Sequence, residues 1–82
     1  MYVLHFGDSF LGEAKKLDSS IKRQIKKKLE QFKSGAIKAE PLHGVLSGKY
    51  KIRSGKYRVI LKFLNDKDVL LLSVGLRGQI YK

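Results

Sequence analysis

Tyr50-Lys51-Ile52-Arg53-Ser54-Gly55-Lys56-Tyr57-Arg58-Val59 decides the fold. Two runs rich in Tyr, Ile, Val and Arg flank a Ser-Gly pair, and β-branched and aromatic residues around so short a break predict an antiparallel hairpin. With Ser54-Gly55 as the two-residue loop, Lys51 stands opposite Arg58 and Arg53 opposite Lys56. Side chains alternate between the faces of a strand, so these cations share one face and Tyr50, Ile52, Tyr57 and Val59 the other. A loop one step later, at Gly55-Lys56, still leaves Arg58 on the face of Lys51 and Arg53. Like charges directly opposite one another destabilise a sheet, so the cluster makes physical sense where an anion binds across it. The alternative is a solvated, Lys-rich edge that discourages aggregation. Against it stands the arginine content, because the guanidinium fork suits phosphate.

Downstream, Asn65-Asp66-Lys67 separates the hairpin from a further β-rich run, so strands are expected at 49–53, 56–64 and 68–74 in an antiparallel meander. Val69-Leu70-Leu71-Leu72 is apolar on successive residues, which predicts burial on both faces at the centre of the sheet. Upstream, Pro41, Gly44 and Gly48 break both periodicities, and 36–48 reads as loop. Ile21, Ile25, Leu29 and Phe32 form one apolar stripe, predicting a helix over 19–34 that starts at Asp18-Ser19-Ser20 and stops at Gly35. Phe10, Leu11, Ala14 and Leu17 predict a shorter helix over 9–17, and Tyr2 to Phe6 a first strand. The expected fold is α+β in the order βααβββ: an N-terminal strand, a two-helix hairpin and a three-strand meander, with the helices packed on one sheet face. Residues 75–82 read as an irregular end or one helical turn.

With 82 residues the chain has room for one domain, 1–82, and one modest core. Eighteen Lys and Arg against seven Asp and Glu give a formal charge of +11, for which phosphates are the obvious partner. A membrane surface and an acidic protein compete for that role. No apolar run approaches the ~20 residues that span a bilayer, and the N-terminus lacks the pattern of a secretory signal, so the expected location is the cytoplasm. The absence of cysteine excludes a disulfide framework, a thiol nucleophile and a thiolate metal site. His5 and His43 lie far apart in sequence, and Asp66 and Asp68 are the only close carboxylates, so neither a metal site nor two-metal nuclease chemistry has its ligands. Gly44, Gly48 and Gly55 lack the spacing of a phosphate-binding loop. No metal and no cofactor is expected. Lys22, Arg23, Lys26 and Lys27 form a basic helix face without interleaved aromatics, which suits sequence-independent attraction to RNA. His43, Lys49 and Lys56 are further candidate RNA contacts.

Leu42-His43-Gly44, then Tyr50-Lys51-Ile52-Arg53, Tyr57-Arg58-Val59-Ile60, Ser73-Val74-Gly75-Leu76-Arg77 and Tyr81 resemble the RelE/ParE toxin superfamily over nearly the whole chain. The element order derived above is also that family's. The resemblance implies a type II toxin of the RelE branch, which binds the ribosomal A site and cleaves messenger RNA, with a cognate antitoxin as partner. It assigns Lys51 and Arg53 to the basic strand pair, Arg58 to the arginine of Tyr-Arg-Val, Arg77 to the late arginine and Tyr81 to the C-terminal tyrosine. RNA carries its own nucleophile, the 2′-hydroxyl, which attacks the adjacent phosphate once it loses a proton and the developing charge is stabilised. A lysine among cations can act as the base, which points to Lys51 with Arg53 next. Arg58 and Arg77 would hold the phosphate, and Tyr81 would stack on or orient a base, or assist proton transfer. The competing function is a ParE-like protein that inhibits DNA gyrase without cutting RNA.

Overall fold

In the computed structural model, which describes residues 1–76, the long helix α2 spans Ser19–Ser34. Its start is fixed by Asp18, whose carboxylate accepts from the Ile21 backbone N–H at 3.1 Å. Its end is fixed by Gly35 at φ 90°, where the N–H of Gly35 reaches Phe32 and that of Ala36 reaches Gln31, the paired closure of a Schellman motif. The shorter helix α1, Asp8–Ala14, stops before the expected Leu17. There the N–H groups of Lys16 and Leu17 bond three residues back, to Glu13 and Ala14, so the last turn tightens and leaves the α-helical path.

The strands are β1 (Val3–Phe6), β2 (Glu40–Pro41), β3 (Tyr50–Ser54), β4 (Tyr57–Phe63) and β5 (Asp68–Leu76), in one sheet ordered β1-β5-β4-β3-β2. β3, β4 and β5 form the expected antiparallel meander, and β1 lies parallel to β5. β2 is a two-residue addition within the expected loop 36–48, followed by a 3₁₀ turn at Gly44–Leu46. Pro41 fits there because an edge strand has one side that needs no N–H donor.

Two expectations about the strands are corrected. The hairpin loop is Gly55-Lys56, with Ser54 paired to Tyr57, so Arg53 faces Arg58 and Lys51 faces Ile60. Lys56 therefore sits at the tip and not opposite Arg53. Gly55 at φ 61° explains the choice: a first loop residue at positive φ is what a type II′ turn requires, and glycine adopts it without strain. The strand buried on both faces is β4, where Arg58 through Leu61 are all buried, while Leu70 and Leu72 of β5 are half-buried. β4 is the middle strand of five, and β5 has only the short β1 beyond it.

The core lies between the helices and one sheet face. Phe10, Ile25, Leu29 and Phe32 from the helices meet Ile52, Val59, Leu61, Val69, Leu71 and Val74 from the strands, as expected of helices packed on one face. Tyr2 stacks on Phe32 at 4.8 Å, and Tyr50 meets Phe63 edge-on at 4.9 Å, both favourable ring geometries. Where β1 ends, Gly7 N–H donates to Leu71 O at 2.9 Å, and farther along β5 the Glu13 carboxylate accepts from Val74 N–H at 3.1 Å. The first continues the β1–β5 ladder by one residue, and the second satisfies a backbone group of β5 that β1 is too short to reach.

Candidate active site

The face of the sheet turned away from the helices carries the cations. Strand alternation places Lys51 and Arg53 of β3 there with Arg58 and Ile60 of β4, while Ile52, Val59 and Leu61 enter the core. Ile60 is 4% exposed yet stands outside the helix-side cluster, so this face has an apolar floor of its own. Arg53 and Arg58 are directly opposite, and Lys51 is two residues along from Arg53. Cβ atoms of opposed residues are ~5 Å apart and those two apart on one strand ~7 Å, so three long cationic side chains can converge on one phosphate.

The three cations differ in setting. Arg58 is 5% exposed, Lys51 is half-buried and Arg53 lies in solvent. Arg58 is fixed on the middle strand between Arg53 and Gly75 of β5, and Gly75 brings no side chain to that neighbouring position. A buried guanidinium keeps its charge and presents a planar fork, which suits it to gripping phosphate oxygens. Lys51 is paired across the sheet edge with Glu40 of β2, and its Nζ lies 3.8 Å from Glu40 Oε2. A carboxylate therefore stands beside Lys51 in addition to the cations that share its face. Glu40 was legible only as the residue before Pro41, because nothing in the loop pattern reveals a two-residue edge strand.

The remaining expected contacts are dispersed. Lys56 is at the hairpin tip, Lys49 immediately precedes β3, and exposed His43 leads into the 3₁₀ turn at the opposite end of β3 from the tip. Lys22, Arg23, Lys26 and Lys27 are exposed on α2, across the sheet from Lys51, Arg53 and Arg58. The helix set and the strand set cannot hold the same phosphate. Arg77 and Tyr81 lie outside the described residues. Among the described residues, no group of three or more His, Cys, Asp or Glu side chains is placed to hold a metal ion. None of the described helices is long and apolar enough to cross a membrane.

A family model described as "ParE toxin of type II toxin-antitoxin system, parDE" matches residues 4–81. The mRNA interferase toxin RelE of Escherichia coli (strain K12) is 39% identical over 79 residues, covering 93% of this chain and 83% of that protein. The crystal structure of the isolated E. coli RelE toxin aligns with a TM-score of 0.77 at 34% identity, covering 99% of this chain and 92% of the other. RelE in the intact E. coli RelBE toxin–antitoxin complex gives 0.72 at 35% identity, with 93% and 96% covered.

Proposed function

The chain belongs to the ParE toxin family of type II toxin–antitoxin systems, and on that premise we propose that residues 1–82 form one RelE-type toxin domain that cleaves messenger RNA on the ribosome. The observation that supports the reading is the placement of Lys51, Arg53 and Arg58 on one face of the sheet, with Ile60 buried among them. A gyrase-binding surface has no need of such a cluster, and the relative at 39% identity is an mRNA interferase.

In the proposed reaction the 2′-oxygen attacks the adjacent phosphorus and the 5′-oxygen leaves, giving a 2′,3′-cyclic phosphate and a 5′-hydroxyl end. Arginine stays protonated throughout, so of the strand pair Lys51 is the group able to take the 2′-hydroxyl proton. Glu40 is the positioning residue that holds the Lys51 amine over the face. Arg53 and Arg58 stabilise the charge that grows on the phosphate oxygens, and fixed donors in a partly buried site do so more effectively than water. Arg77 joins them on the phosphate and Tyr81 stacks on or orients a base. The chemistry needs no metal or other cofactor. The partner is a cognate antitoxin, in keeping with the RelBE complex, and the site of action is the cytoplasm.

The test is incubation of the purified protein with ribosomes programmed with a defined message, followed by mapping of the new ends. Cleavage in the A-site codon is expected, with losses of about 100-fold or more for Lys51→Ala, Arg58→Ala and Arg77→Ala. An intact message together with blocked gyrase supercoiling would overturn the nuclease reading in favour of a ParE-like inhibitor.

A further inference from the structure

Between α2 and the tip of the β3–β4 hairpin lies a concavity of about 260 Å³, lined by Gln24, Lys27, Lys28, Gln31, Ser54 and Gly55. It is on the helix side of the sheet and separate from the cationic strand face. The spacing 24, 27, 28, 31 puts these side chains on one flank of α2, beside the stripe Ile21, Ile25, Leu29 and Phe32. Lys28 follows Ile25 by three residues and precedes Phe32 by four, so it borders the apolar stripe while remaining exposed, and it brings an ammonium group to the edge of the concavity.

The strand side contributes a hydroxyl. Ser54 follows Tyr50 and Ile52 on the core face of β3 and is only 4% exposed, yet its oxygen is not a sealed atom of the core, and the residue lines the concavity. A hydroxyl on an otherwise buried residue that lines a concavity is placed to exchange its bond to water for one to a ligand. Gln24 reaches over the turn, its Oε1 4.0 Å from the point a Cβ on Gly55 would occupy. The notch thus presents two ammonium groups, two amides and a hydroxyl, with no carboxylate among its lining residues.

We propose that this notch is a phosphate subsite for an RNA strand that passes round the hairpin tip from the cationic face. The ammonium groups supply charge, and the Ser54 hydroxyl and Gln amides donate to phosphate oxygens or accept from a neighbouring 2′-hydroxyl. The route is continuous in charge. Arg53 lies on the strand face, Lys56 at the tip, and Lys27 and Lys28 beyond it, while Ser54 is the residue next to Arg53. The proposal rests on the RNA-cleaving reading only for the identity of the ligand.

Binding can be separated from cleavage with a fluorescein-labelled, single-stranded 2′-O-methyl RNA, which has no free 2′-hydroxyl to attack. Titrated with the full chain, it is expected to bind with anisotropy and with shifts of the Gln24 and Gln31 side-chain amide resonances that share one Kd. Ser54→Ala should weaken binding by about five-fold with an unchanged salt slope, and Ser54→Thr should retain affinity. Lys27→Gln/Lys28→Gln should lower the slope of log Kd against log salt by about 0.7, the loss of one phosphate contact on a single strand. Lys15→Gln/Lys16→Gln, an equal loss of charge before α2, serves as the control. Equal effects of the two double variants, with silent Gln amides and full affinity in Ser54→Ala, would overturn the subsite in favour of diffuse attraction. Weakened antitoxin binding with unchanged RNA binding would overturn it in favour of a protein contact. Loss of message cleavage in Lys51→Ala with the RNA titration unchanged leaves the subsite standing, so the two readings fail separately.

Discussion

Gly7 shows how much one residue can decide. A Cβ there would stand 2.8 Å from Leu71 O, the same carbonyl that accepts the Gly7 N–H, and backbone cannot swing aside as a side chain can. Gly7→Ala should therefore destabilise the fold by about 1–3 kcal/mol, read as a lower urea midpoint with an unchanged slope. At Gly55 the strain is in the backbone: Gly55→Ala at φ 61° should cost about 1–2 kcal/mol by the same measurement. That residue also marks a limit of sequence reading. Composition and alternation placed Lys51, Arg53 and Arg58 on one face correctly, because either two-residue loop preserves their parity. The exact pairing depended on which residue takes positive φ, and Ser54-Gly55 and Gly55-Lys56 both offer Gly55. The type II′ preference for glycine in the first loop position was the signal available.

Among elements, α2 was legible almost to the residue because its cap, stripe and glycine stop agree. The edge strand β2 was not, since two residues carry no periodicity and their pairing depends on β3, already placed by tertiary contacts. The pairing of Lys51 with Glu40 was hidden for the same reason. The link between α1 and β5 is likewise long-range: Glu13 and Val74 are far apart in sequence but bonded at 3.1 Å. Glu13→Ala leaves a partly buried N–H unpaired and should cost about 1–3 kcal/mol. Amide hydrogen exchange at Val74 should accelerate well beyond that at Leu61, and equal protection at the two would contradict the role given to Glu13.

At the scale of the whole molecule, stability depends on both acid and salt. The Asp68 carboxyl is held below its ordinary value by hydrogen bonds from His5 and then Asn65, and Asp18 by those from the Ser20 hydroxyl and the Ile21 N–H. Such groups bind a proton less readily when folded. Their contribution is complete above the unfolded value, about 4, and is lost as pH falls through the lower folded value. Tm should drop on acidification below pH ~4, and Asp68→Asn should flatten that drop. With a formal charge of +11, self-repulsion opposes the compact state, so raising salt from ~10 to ~150 mM should raise Tm. The same charge makes antitoxin binding salt-sensitive, weakening over that range in a titration. The parallel pairing of β1 with β5 has a temporal consequence. Synthesis delivers Val3–Phe6 well before its neighbour in the sheet, Asp68–Leu71. Strand β1 of a nascent chain must wait, its hydrogen bonds to the sheet unmade, until β5 has emerged. A chain cut short anywhere before β5 therefore cannot close its sheet, because β1 has no other neighbour to pair with among the described residues.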